Sequence, residues 1–252
     1  MKPKEYGHFK GAFLKLERAR VHADELLKEI KSFLQKSPYR LVVINSNNQK
    51  ILRVEQTIDI PNAIPLLLGD FVHNCRSSLD HLATDLVLAN QGGISGLFFP
   101  TGIDQEAFHR ALDGPIKKAG EKVVTKLAEA EIYRGGKGSS LRGLHELDIA
   151  DKHKMLIPNV SMVTLTNFKS GGLTIGRFTT DIQSNGTNML VTNIGQGVEF
   201  DEAINFDIEI SDSECFARQS LPEVIEDIYD STYSLALSFK EQPEFPRRKI
   251  VI

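Results

Sequence analysis

Apolar residues recur at steps of three and four along residues 68–86, which is the pattern of a helix buried on one side. The apolar side consists of Leu68, Val72, Cys75, Leu79, Leu82 and Leu86. A second line at the same steps is polar and consists of Asp70, His73, Ser77, Asp80 and Thr84. The pattern predicts a helix from Ala63 to Ala89 with an apolar side and an ionisable side.

The rest of the chain alternates between helical and β-rich patterns. Two runs rich in β-branched residues, Tyr39 to Ile44 and Lys50 to Ile58, flank a polar loop and predict a β-hairpin. Short alternating runs between Val160 and Ile210, separated by Gly and Asn turns, predict an antiparallel meander. Further amphipathic helices are predicted over Phe9 to Gln35, Gln105 to Leu112, Pro115 to Glu131, Leu141 to Leu156 and Pro222 to Phe239.

This order of elements predicts an α+β fold. Its core is a helical bundle, with an N-terminal β-hairpin and a C-terminal antiparallel β-meander. Residues 1–158 form a mainly helical domain with the hairpin. Residues 159–252 form the meander and the C-terminal helix, which we expect to pack on the bundle as one unit.

The polar side of the central helix has an unusual composition for a helix surface. Asp, Asn, Ser and His are poorer helix formers than the Lys and Glu of an ordinary solvated face, so their concentration calls for a functional or packing reason. The segment Leu144 to Lys154 repeats the feature, with His145, Asp148 and Lys152 on one side and His153 beside them. We expect the two helices to meet and to turn these groups toward one water-accessible hollow.

A short motif within the central helix suggests one chemistry. Arg76-Ser-Ser-Leu-Asp-His81 has an Arg, four intervening residues and a His, and it resembles the R-x-x-x-x-H motif of the HEPN family of helical proteins. Many members of that family are metal-independent endoribonucleases. The resemblance implies that Arg76 holds an RNA phosphate and that His81 acts as the acid–base group, usually across a homodimer cleft. Asn74 and Asp80 would then orient the pair as further members of the catalytic group.

A wider likeness spans both polar helices. The pattern G-D-x-x-H-N-x-R-S-x-L-D-H, ending at His81, and the later L-H-x-L-D-x-x-D-K-H, ending at His153, resemble an uncharacterised bacterial protein family. That resemblance brings no function with it. In the HEPN-like interpretation, His145, Asp148, Lys152 and His153 would bind the substrate.

A metal site is an alternative interpretation of the same residues. Carboxylate–imidazole pairs three residues apart on facing helices can hold a divalent transition metal, and the chain offers two such pairs. The alternative ligands are Asp70, His73, His145 and Asp148. The HEPN-like interpretation requires no metal and no other cofactor.

A structural network is the other alternative. Asp, His and Arg on facing helices can pair in a buried network that fixes packing, and Arg76 and Asp80 stand four residues apart as helix ion pairs do. The protein would then be a non-enzymatic binding or interaction module, with the meander as its recognition surface.

Composition and charge limit the kinds of ligand and the cellular location that we expect for this protein. The 252-residue chain is 41% hydrophobic and 25% charged, and its formal charge of −3 argues against nucleic-acid binding driven by bulk charge. The charged N-terminus lacks the apolar run of a signal peptide, and no segment predicts a membrane span, so we expect a cytoplasmic protein without a membrane partner. Two distant cysteines, Cys75 and Cys215, predict reduced thiols. The Gly-rich segment Arg134 to Ser140 predicts a basic turn before the helix that follows. If RNA binds, this basic turn offers supporting contacts from Arg134 and Lys137, and Arg142 adds another.

Overall fold

The computed structural model describes residues 9–46, 49–156, 158–170, 173–181, 183–184, 188–189, 193–194, 204–210, 212–217 and 219–240. Within these ranges the chain is mostly helical, with antiparallel sheets. The helices are α1 (Lys10–Leu34), α2 (Ala63–Ala89), α3 (Gln105–Leu112), α4 (Glu121–Glu129), α5 (Ser139–His153) and α6 (Leu221–Lys240). Two 3-10 helices occupy Pro115–Ala119 and Glu214–Phe216.

The core is built around α2. Helices α1, α5 and α6 each pack on α2, and α6 also contacts α1 and α5. The predicted apolar side of α2 is fully buried. No exposed surface is left on its residues Leu68, Val72, Cys75, Leu79 and Leu82. A helical core with α2 at its centre is therefore confirmed.

The N-terminal hairpin is present as predicted. Strands β1 (Tyr39–Ser46) and β2 (Gln49–Gln56) pair antiparallel, with Tyr39 opposite Gln56. A short strand, β7 (Asn193–Ile194), adds to the free edge of β2.

The C-terminal half contains a second antiparallel sheet in the order β4–β3–β8. Its strands are β3 (Asn159–Ser170), β4 (Leu173–Asp181) and β8 (Ile204–Glu209), and a separate pair joins β5 (Gln183–Ser184) to β6 (Asn188–Met189). Several parts of the predicted meander, including its Gly and Asn turns, lie outside the described residues, namely residues 171–172, 182, 185–187, 190–192 and 195–203. The full meander therefore stays a prediction.

One predicted helix differs from the structure. The expected helix over Pro115 to Glu131 is two elements, the 3-10 helix Pro115–Ala119 and α4. Gly120 separates them with a φ of 97°, which lies outside the helical region and which a glycine adopts without steric cost. An amphipathic pattern does not reveal such a break, because both elements bury the same kind of residue.

Candidate functional site

The two polar helices meet, as the sequence predicts. Helix α5 packs on α2, and the Asp151 side chain of α5 lies against Gly69 of α2. An ideal Cβ placed at Gly69 would lie 2.6 Å from Oδ1 of Asp151, so a larger residue at this position would displace that carboxylate. The candidate site is the junction of these helices, together with the segment Phe99–Thr101 that crosses it.

Arg76 lies at the base of this junction. Its side chain is buried, and its Nη2 donates to Oδ1 of Asp80 at 2.9 Å and to the carbonyl oxygen of Phe99 at 3.2 Å. Asp80 also accepts from the backbone N–H of Phe99 at 2.9 Å. Burial lowers the pKa of Arg76, while the charges of Asp80 and Asp148 act in the opposite direction. The second terminal nitrogen, Nη1, is buried and has no hydrogen-bond partner among the described residues.

A buried carboxylate organises the outer part of the junction. Asp148 is 3% exposed, and its Oδ2 accepts from Nζ of Lys152 at 2.5 Å. Its Oδ1 lies 3.5 Å from Nδ1 of His73, whose Nε2 is hydrogen-bonded to the hydroxyl of Ser77 at 3.3 Å. The side chains of His73 and Lys152 are both more than half exposed, at 56% and 57%. Asp148 therefore accepts a hydrogen bond from one solvent-facing nitrogen group, that of Lys152, and lies beside a second, that of His73.

His145 lies on the inner side of the same junction. Its Nδ1 is buried and, in the part of the chain that the structure describes, has no hydrogen-bond partner. Burial, together with the positive charges of Arg76 and Arg142, lowers the pKa of His145 to about 4. The ring is therefore neutral at physiological pH.

The proposed catalytic group does not converge on one point. His81 is exposed and lies toward α1, where an ideal Cβ at Gly11 would come within 3.0 Å of its Nδ1. Arg76 instead faces Phe99 and Asp80. Asn74 is buried, and it donates to the carbonyl oxygen of Asp70 at 2.7 Å and accepts from Lys15 at 3.4 Å. Arg76 and Asp80 are thus brought together, whereas His81 and Asn74 have other neighbours.

Two further acidic residues, Asp70 and Asp151, lie at the same junction as Asp148, His73 and Lys152. The carboxylate of Asp70 is exposed and lies 4.0 Å from Nδ1 of the buried His22. Burial, followed by the charges of Asp148 and Asp70, raises the pKa of Asp151. His153 is exposed at the end of α5.

Glu146 is a central residue of the site that sequence reasoning missed. Its carboxylate accepts from Nε of Arg134 at 2.8 Å, Nε of Arg142 at 3.1 Å and the hydroxyl of Ser213 at 2.6 Å. Burial acts to raise the pKa of Glu146, but these hydrogen bonds and positive charges hold it below its usual value. The spacing of four residues between Arg142 and Glu146 could have revealed this pair. Arg134 and Ser213 are too distant in sequence to give such a signal.

The basic turn is tied to carboxylates rather than free. Arg134 pairs with Glu214 as well as Glu146, and Lys137 donates to Glu131 at 3.0 Å. Arg142 makes a long contact of 3.4 Å with the hydroxyl of Thr101.

The described residues supply no metal-ligand cluster and no membrane span. Among them, no three His, Cys, Asp or Glu side chains are placed to hold an ion. Of the four alternative metal ligands, His73 contacts Asp148, whereas Asp70 lies near His22. In the same ranges, no helix combines the length and apolarity needed to cross a bilayer. Both cysteines carry free thiols, with Cys75 buried.

Comparison with known proteins gives no match: no family model, no curated protein and no solved structure is similar to this chain at a significant level.

Proposed function

We propose that this protein binds RNA through the exposed polar face that α2 and α5 share. The observation that carries the proposal is the placement of two exposed side chains, His73 and Lys152, beside the buried carboxylate of Asp148, with the half-buried hydroxyl of Ser77 hydrogen-bonded to His73. Contact with the carboxylate restricts the orientations of Lys152 and His73, so less side-chain entropy is lost when they bind a ligand. Exposed amines, hydroxyls and imidazoles of this kind are the groups that contact RNA phosphates and 2′-hydroxyls. The HEPN resemblance supports RNA as the ligand.

We propose RNA binding, rather than RNA cleavage, as the primary function. A ribonuclease using Arg76 and His81 needs both groups at one phosphate, and in this chain they face different neighbours. Cleavage is tested separately with His81→Ala, whose exposed side chain can be removed with little effect on the fold. If the wild-type protein cleaves RNA and His81→Ala cleaves it equally fast, His81 is not the acid–base group.

The binding proposal is tested by fluorescence anisotropy with a labelled single-stranded RNA. Lys152→Ala is expected to bind several-fold more weakly and to lower the slope of log K against log salt by about one, as loss of one phosphate contact does. Lys117→Ala is a matched control, because Lys117 is also exposed and also pairs with an aspartate four residues earlier. Equal affinities of Lys152→Ala and Lys117→Ala would contradict the proposed face.

A second candidate function is that of a protein-interaction module. The observation that favours it is the segment around Phe99, which the network of Arg76 and Asp80 fixes to α2. This segment turns large apolar side chains outward, since Phe98 is 73% exposed and Ile94 and Ile103 are about half exposed. A fixed loop with exposed apolar residues is typical of an interaction surface. If Phe98→Ser abolished a protein interaction and left RNA affinity unchanged, this candidate would be favoured.

A further inference from the structure

We propose that the inner part of the α2–α5 junction binds a phosphate-type oxyanion through Arg76, Arg142 and His145. The proposal goes beyond the RNA-binding face described above and does not depend on it. The face consists of exposed side chains, whereas the inner group is buried or half-buried. The ligand class follows from three observations on the donors present there.

The first observation is the unpaired nitrogen of Arg76. A guanidinium has five N–H donors, and Nη2 is already paired with Asp80 and Phe99. Nη1 is buried, has no partner within the described ranges, and belongs to a residue that is only 4% exposed. A buried charged donor without an acceptor is costly, and an incoming anion would supply the acceptor.

The second observation is that the unpaired nitrogen of His145 lies in the same electrostatic neighbourhood. The charges of Arg76 and Arg142 both act on His145, and together they outweigh the opposing charge of Asp148. The charged side chains that act on this ring are thus mainly positive, and such surroundings favour an anion over a cation. With its Nδ1 protonated, the neutral ring could donate one hydrogen bond to that anion.

The third observation is that both arginines end at one short segment. Arg76 donates to the carbonyl of Phe99, and Arg142 contacts the hydroxyl of Thr101. Because these residues are two apart, at most about 7 Å of chain separates their Cα atoms. The Thr101 contact of 3.4 Å is long, so an anion can replace it at little cost. Guanidinium groups match phosphate oxygens in a fork geometry, and a tetrahedral oxyanion can serve two arginines and an imidazole together.

The test is calorimetric titration of the full chain with inorganic phosphate at constant ionic strength. We expect saturable binding in the millimolar range or tighter. Arg142→Gln should weaken it about tenfold, which is the loss of one hydrogen bond to a charged group. This variant is suited to the test because Glu146 keeps Arg134 and Ser213 as partners. His145→Phe, which removes the imidazole donor, should also weaken binding.

Arg110→Gln is the matched control. Arg110 is exposed and pairs with a glutamate four residues away, as Arg142 does. Absence of saturable phosphate binding would overturn the proposal. So would equal affinities of Arg142→Gln, His145→Phe and Arg110→Gln, because the bound phosphate would then lie elsewhere.

Two competitors distinguish the source of the phosphate. An RNA oligonucleotide without a terminal phosphate that displaces inorganic phosphate would show that the site takes a backbone phosphodiester. Displacement only by a nucleoside monophosphate would show that it takes a free or terminal phosphate. The phosphate proposal and the RNA proposal can fail independently, since Lys152→Ala tests the outer face and Arg142→Gln tests the inner site.

Discussion

Arg76 illustrates how one side chain serves both packing and a candidate site. Its pairing with Asp80 could be predicted from their spacing of four residues on a helix, and the 2.9 Å contact confirms it. The backbone of Phe99, which contacts both side chains, could not be predicted. That contact depends on the path of a loop, and residue spacing along one helix carries no information about such a path.

Removal of the Asp80 carboxylate should destabilise the fold. Asp80→Ala leaves the buried Arg76 without its carboxylate and releases the N–H of Phe99, so we expect a loss of about 2 kcal/mol in the free energy of unfolding. Urea denaturation measures this loss in the free energy of unfolding. In the control Glu106→Ala the partner Arg110 is exposed, and the expected loss is below about 0.5 kcal/mol. Equal losses in the two variants would contradict a structural role for the buried pair.

His145 should make stability depend on pH in one direction. Its pKa is lowered from 6.5 to about 4 by burial and by the charges of Arg76 and Arg142. The unfolded chain therefore takes up a proton near pH 6.5, whereas the folded chain does so only near pH 4. Stability from this group is present above pH 6.5 and is lost as the pH falls toward 4.

The comparison of His145→Gln with wild type isolates this effect. Urea midpoints at several pH values between about 7 and about 4 should fall less steeply in the variant, since carboxylates elsewhere act alike in both chains. His109→Gln, which removes an exposed histidine of α3, is the control and should follow the wild type. Parallel curves for wild type and His145→Gln would show that His145 does not titrate in this way.

At the scale of elements, the bounds of α2 and α3 agree with the sequence pattern because each helix has one continuous apolar side. The packing of α5 was predictable only in part. Its polar side indicated a partner helix, and α2 is that partner. On another side of α5, Gly143 contacts the 3-10 helix Glu214–Phe216. Because these two segments are about 70 residues apart in the chain, no local sequence pattern predicts their contact.

The close contact of Gly143 predicts a large effect of a small substitution. An ideal Cβ at Gly143 would lie 2.4 Å from the ring of the buried Phe216, so Gly143→Ala should cost about 1–3 kcal/mol despite its better helix propensity. Gly69→Ala is the matched comparison within a helix. Its new methyl would meet the carboxylate of Asp151, which can rotate away more easily than a packed ring. A thermal melt in which Gly143→Ala is the more stable of the two would contradict this packing.

At the scale of the whole molecule, the net charge limits how RNA can bind. The chain carries a formal charge of −3, so attraction to RNA must come from local donors rather than from the overall field. We therefore expect a shallow dependence of affinity on salt, with a log–log slope of about −1 for single-stranded RNA, because Lys152 and His73 are the basic side chains of the proposed face. Fluorescence anisotropy titrations at several salt concentrations measure this slope. A slope steeper than about −6 would indicate many more phosphate contacts than the α2–α5 face offers.

The most direct test of the central claim maps the bound RNA onto the whole protein by NMR. A series of ¹⁵N-correlation spectra of the full chain, recorded during titration with single-stranded RNA, reports on every element at once. If the account is correct, the largest shifts occur along 70–81 of α2 and along 145–153 of α5. Shifts concentrated on α4 or the β1–β2 hairpin, with α2 and α5 unchanged, would contradict it.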